Sequence, residues 1–211
     1  MNKIRFKYSK TGRAKYMSHL DFTATMQRAL LRSGIELQYS EGFNPHPYLS
    51  VALPLSVGYG SFTELMDVGV VSNRLPDIKT ISLPEGIEIL DVYRPAKKFT
   101  EIKWIEIYGG LFYDEEISPD LLSELSEGYK KQSIVISKRS KRGIKEIDIA
   151  PHIKDVRFAF GDIITVKAKI SAQEPMLNVN DLLSALDEKL KPVHTDINRV
   201  DLYDKSMVHF K

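Results

Sequence analysis

An α+β class with mainly antiparallel sheets is predicted by three observations: short stretches alternating apolar and charged residues, single amphipathic stretches set between pairs of them, and a recurrence of that order in the second half. Ile4, Phe6 and Tyr8 alternate with Lys3, Arg5 and Lys7, so the first strand is predicted over 3–9. Ser18-His-Leu-Asp21 has capping-box spacing and Gly34 supplies a stop, which predicts a helix from His19 to Ser33. Strands are expected at 36–39, 49–53 and 62–71, a weak helix at 73–81 and a strand at 87–93.

Arg94-Pro-Ala-Lys-Lys-Phe-Thr100 reads as a linker, because a proline and charges interrupt two strand-like runs. Beyond it, 101–108 alternates as a strand, 118–127 is helical and 133–137 is a short strand. A hairpin around Gly161 is expected from 156–160 and 162–170, then a helix over 180–190 and a last strand over 198–203. Both halves approach the order βαββαβ. The expectation is therefore two tandem ferredoxin-like units, residues 1–96 with the 18–64 motif region and residues 97–211 with a basic hairpin at 138–145.

The chain has 211 residues, 43% of them apolar, enough for a core that folds without staples. It contains no cysteine, which excludes disulfides, thiolate nucleophiles and cysteine-held metals. No stretch approaches the roughly 18 apolar residues of a membrane span, and Met1 leads straight into a strand pattern without a signal-peptide core, so a cytoplasmic protein is expected. The net charge of +2 is zoned: residues 1–35 carry eight Lys or Arg against Asp21, 130–145 carry seven against no acid, and 101–127 carry eight acids against Lys103. Such zones fit a phosphate-binding surface, or opposite zones facing each other or water.

The informative stretch is 18–64. At about 100° per residue, His19 falls between Met26 and Leu30 and should point inward, as a buried hydrogen-bonded imidazole or as an acid–base group. Asp21 is explained by capping or by chemistry alike. Arg28 and Arg32, four apart, suit one phosphate or a solvated face. In Tyr39-Ser-Glu-Gly-Phe-Asn-Pro-His-Pro-Tyr48 the two prolines stiffen a loop in which Phe43, Asn44, His46 and Tyr48 suit a base or a phosphate, or close over the core. Pro54-Leu-Ser-Val-Gly58 leads toward Glu64 without phosphate-loop spacing.

The catalytic candidates are thus His19, Asp21, His46 and Glu64, whose separations match no metal-ligand pattern. No metal and no cofactor is expected. The phosphate candidates are Arg13, Lys15, Arg28, Arg32, Phe43, Asn44, His46 and Tyr48, joined by Lys138, Arg139, Lys141 and Arg142 at the basic hairpin tip, where a solvated turn is the alternative.

Phe6, Lys10-Thr-Gly12, Ser18-His-Leu-Asp21, Arg28-Ala-Leu30 with Arg32, Tyr39 to Pro47, Pro54 to Gly58, Ser61 and Glu64 together resemble the radical-SAM-linked proteins, a bacterial family of uncharacterised function. The likeness continues through Leu83 to Ile87, Lys145 to Asp148 with Pro151, and Asp181 to Leu186. Where that family often has two arginines before the closing alanine and glycine, this chain has Leu31-Arg32-Ser33-Gly34, a departure that weakens any paired-arginine role there.

The resemblance implies a radical-SAM protein as partner, encoded beside or fused to such chains. Ribosomal and ribonuclease gene neighbours hint at tRNA or rRNA. The chain lacks the cysteines of a radical-SAM cluster, so radical chemistry would belong to the partner. Three functions follow as expectations: a subunit presenting RNA to that enzyme, a protein adaptor without RNA contact, and a phosphodiesterase or RNA-processing enzyme using His19 or His46.

Overall fold

The computed structural model describes residues 2–114, 119–140 and 143–211. It is a mixed α+β protein that divides into Met1–Glu101 with Lys211, and Ile102–Phe210.

The first unit is built on β1 (Asn2–Lys10), α1 (His19–Arg32), β2 (Leu49–Val51), β3 (Gly60–Val70) and β4 (Ile87–Tyr93). β1 pairs antiparallel with β4 on one edge and with β3 on the other. Val68 of β3 faces both Ile4 of β1 and Leu49 of β2, so the order is β4-β1-β3-β2. The period-two pattern puts Ile4, Phe6 and Tyr8 with Met66, Val68 and Val70 in the core. α1 seals them with Phe22, Met26, Ala29 and Leu30, spaced to share one helix face.

Ser18 caps α1 and Gly34 stops it as expected, with a hydroxyl–carboxylate bond in place of the capping box's return contact. The Ser18 hydroxyl accepts from the Asp21 N–H at 3.1 Å and donates to the Asp21 carboxylate at 2.6 Å. At the other end Ile35 N–H reaches Leu30 C=O and Gly34 N–H reaches Leu31 C=O, a Schellman closure made possible by the positive φ of +77° at Gly34.

Two expectations fail here. Residues 36–39 form no strand: Leu37 and Tyr39 make isolated bridges to Val70 and Pro47. The weak helix at 73–81 is only a 3-10 turn at Ile78–Thr80, nucleated by the Asp77 side chain, since Pro76 and exposed polar residues leave no apolar stripe for more. The 94–100 stretch runs from the end of β4 toward the division of the units after Glu101, and it is anchored: Lys97 C=O accepts from Arg5 at 2.9 Å, and the Arg5 guanidinium lies 4.3 Å from the Phe99 ring centroid.

The second unit comprises β5 (Trp104–Phe112), α2 (Pro119–Gly128), a separate hairpin of β6 (Val135–Ser140) and β7 (Gly143–Asp148), then β8 (Ile153–Ala159), β9 (Ile164–Ser171), α3 (Val179–Leu183) and β10 (His194–Tyr203). Its antiparallel ladders give the order β10-β5-β9-β8. Ile105, Ile107, Leu111, Ile164, Val166, Ala168 and Ile170 fill one sheet face. On that side Tyr129, just past α2, contacts Phe158 of β8 at 5.8 Å and donates to Leu182 C=O of α3 at 2.7 Å. Burial pushes the Tyr129 hydroxyl well above the ordinary tyrosine pKa.

The expected helix at 180–190 shortens to α3 plus a 3-10 turn at Glu188–Leu190. Asn178 and Asp181 start it with a full capping box, but Ser184 already caps it.

Candidate functional site

His19 and Glu64 line one small crevice, together with Tyr8, Lys10, Phe22, Val51 and Leu55. β1 brings Tyr8 and Lys10, β3 brings Glu64 and the first turn of α1 brings His19. Tyr8 stacks on Phe22 at 4.9 Å. Lys10 is buried, and its ammonium donates to Met17 C=O at 2.8 Å. Burial lowers its pKa from the ordinary lysine value, against the pull of the nearby Glu64 carboxylate.

The cavity measures about 10 Å³. That admits about one water, far below the roughly 300 Å³ at which small-molecule sites begin. The cluster can hold a water or move a proton, but it has no room for a nucleotide. His19 itself is exposed, which corrects its expected inward position: at the first helical residue its side chain has no preceding turn to pack against.

The other catalytic candidates stand outside this crevice. The Asp21 carboxylate is engaged by Ser18, so capping accounts for it. His46 is exposed on the 39–48 loop. Among the described residues no group of three His, Asp or Glu is placed to hold a metal ion.

The loop is braced from within. Ser40 N–H donates to His46 C=O at 2.8 Å, His46 N–H to the Ser40 hydroxyl at 3.0 Å, and Tyr48 N–H to Gln38 C=O at 2.9 Å. Its base rests on Gly69 of β3, which bonds to both Gln38 and Tyr48. A Cβ at Gly69 would stand 2.9 Å from the Tyr48 Cβ, so this close approach needs glycine. Beyond the brace, residues 41–46 are exposed. Phe43 is wholly exposed at 111%, Asn44 stands beside it, and Tyr39 and Tyr48 are partly open. The alternative that these rings close over the core is therefore excluded for Phe43.

The basic candidates scatter. Arg13 and Lys15 sit on a 3-10 turn at Gly12–Tyr16, and Lys15 C=O accepts from Gly58 N–H, tying that turn to the 54–60 loop. Arg28 and Arg32 are exposed on α1, with Arg32 3.4 Å from Ser82 C=O. Lys138 is committed elsewhere: it pairs with Asp181 at 2.6 Å and donates to Met176 C=O at 2.7 Å, joining the hairpin to the α3 start. Arg139 stands in β6, and Lys141 and Arg142 lie outside the described residues.

Among the described residues three buried cations, Arg5, Lys10 and Arg199, escaped sequence reading. Arg5 looks like an outward member of a basic strand, yet it is 0% exposed and forks onto Asp67 at 2.7 and 3.0 Å. The one available signal was Asp67, an acid within an otherwise apolar strand run.

No helix among the described residues is long and apolar enough to cross a membrane. No curated protein matches the chain. A family described as an uncharacterised protein conserved in bacteria, DUF2344, matches residues 3–190, nearly nine-tenths of the sequence, and the chain belongs to that family.

Proposed function

We propose that this chain is an accessory protein that binds RNA, tRNA or rRNA, and presents it to a partner radical-SAM enzyme. The observation that carries the reading is Phe43, wholly exposed at the tip of a loop whose base is fixed by backbone bonds and two prolines. Water disfavours an open phenyl ring, and a rigid loop that holds one out, beside exposed His46 and half-open Tyr39 and Tyr48, suits stacking on an unpaired base. A binding role is also supported over a His-dependent RNA-processing enzyme, because His46 stands apart from the His19–Glu64 crevice and that crevice has no room for substrate.

The radical-SAM partner rests on the family resemblance. Exposed Tyr16, Leu20 and Val57 around the start of α1 suit a protein contact. With no RNA bound, the same surface would serve the adaptor reading.

The architecture is read the same way, as two tandem ferredoxin-like units. The orders β4-β1-β3-β2 and β10-β5-β9-β8 correspond strand for strand, with β6–β7 as an insertion and the second helix of the first unit reduced to a turn.

The test is fluorescence anisotropy of labelled tRNA with wild type, Phe43→Ala and His46→Ala. Loss of one stacked base predicts weakening on the order of 5- to 100-fold for Phe43→Ala. Equal affinity in all three proteins would remove the loop from the RNA surface. Complex formation with the radical-SAM partner, unchanged by Phe43→Ala and lost in Leu20→Ser, would separate the two contacts.

A further inference from the structure

The basic hairpin expected to meet phosphate is partly consumed by the Lys138–Asp181 pair, yet the second unit carries cations elsewhere. A groove of about 510 Å³ runs between the end of α2 and the edge strand β8. Lys130, Lys131, Lys154 and Arg157 line it against one carboxylate, Asp155. Asp155 is itself occupied by Lys169 at 3.0 Å, and that hydrogen bond holds its carboxyl below the ordinary range. Lys130 pairs with Glu127 of α2 at 2.7 Å, so the charge that remains facing outward is that of Lys131, Lys154 and Arg157.

The register carries this charge onto the open sheet face. Arg157 pairs across with Lys167, and Lys167 with Tyr108 of β5, so the three side chains form one row on the face opposite the apolar core. All three are exposed, Tyr108 at 48%. The neighbouring row is different. There Lys154 lies 4.2 Å over the Trp104 ring and Glu106 takes up Lys167 and Tyr203, so Trp104 is covered and Tyr108 is the open ring.

A cationic edge leading to an exposed aromatic on a central strand matches the needs of a flexible single strand: phosphates follow the charge while one base stacks. A duplex fits poorly, because its bases are not free to reach Tyr108. We infer that the β8 groove and adjoining sheet face of the second unit form a binding track for single-stranded RNA, with Lys131, Lys154 and Arg157 on the phosphates and Tyr108 under a base. The inference rests on the RNA-binding reading and adds a second contact region to the 39–48 loop.

The experiment is anisotropy of the full chain with a fluorescein-labelled unstructured RNA of about 12 nucleotides, and with a duplex of equal length, across a salt series. Wild type is compared with Lys131→Gln/Lys154→Gln/Arg157→Gln, with Tyr108→Ala and with Phe43→Ala. Thermal melting verifies that each variant is folded. The triple variant is expected to lose about two from the log–log salt slope, at about 0.7 for each phosphate contact released on a single strand. Tyr108→Ala is expected to weaken single-strand binding on the order of ten-fold and duplex binding hardly at all.

Wild-type affinity in both variants, with loss only in Phe43→Ala, would overturn the track and leave the loop reading intact. Duplex bound as tightly as single strand would overturn the stacking role of Tyr108 and with it the track. No RNA bound by wild type at low salt would overturn both readings.

Discussion

The two units place an ion pair on the sheet face away from their helices, and they do so to opposite ends. In the first, Arg5 is fully enclosed: a fork to Asp67, a third bond to Lys97 C=O and the Phe99 ring leave the guanidinium no contact with water. In the second, Glu106 is buried but its partner Lys167 stays more than half exposed, so the pair reaches solvent. A closed pair fixes where a segment docks, whereas an open one leaves charge for a ligand. The difference teaches which face is structural and which is available.

That contrast breaks most sharply at Arg5. Arg5→Met would strand the Asp67 carboxylate in the interior, and a stability loss on the order of 3–5 kcal/mol is expected in urea unfolding. Arg5→Met combined with Asp67→Leu should recover much of it, because no lone charge remains. A loss under about 1 kcal/mol in the single variant would show the pair to be solvated.

Gly69→Ala comes next. The added methyl must displace Tyr48 or Gln38 beneath the 39–48 loop, at about 1–3 kcal/mol, and it should loosen the loop enough to weaken RNA binding too. Unchanged hydrogen exchange at the amides of Ser40 and Tyr48 would contradict the brace.

Glu106→Gln should cost less, about 1–2 kcal/mol, since Lys167 can turn to water. Burial pushes the Glu106 carboxyl up, but hydrogen bonds from Lys167 and Tyr203 outweigh it and leave the pKa lowered. A lowered carboxyl contributes stability that is present above its unfolded value and lost as pH falls through the folded one. Wild type should therefore lose stability in acid faster than Glu106→Gln, and parallel curves would contradict that sign.

The smallest effect belongs to Lys10. Burial lowers its pKa below 10.5, so in the window between the folded value and 10.5 the unfolded chain holds more protons. Stability then gains with rising pH across that window in wild type relative to Lys10→Met. A relative decline would reverse the assignment.

What could be read in the sequence followed local periodicity. β1, α1 with both caps, and β3 were legible because apolar spacing and capping residues act within a few positions. The exposed loop at 41–46 was legible in its Gly, Pro and Asn content, although which ring stood open was not. Burial of Arg5 depends on Asp67, 62 positions away, and loss of Lys138 to Asp181 spans 43. Such pairings are set by sheet register and packing, which period-two reading does not reach. The same limit hid Tyr108: its place beside Lys167 and Arg157 exists only once β5, β9 and β8 are aligned.

The central claim, that the chain binds RNA, is tested most directly by titrating wild-type protein into total cellular RNA across a salt series. The account predicts affinity that falls steeply and linearly in log–log form, with a slope corresponding to several phosphate contacts. Absence of binding at low salt would contradict it and leave a protein adaptor in its place.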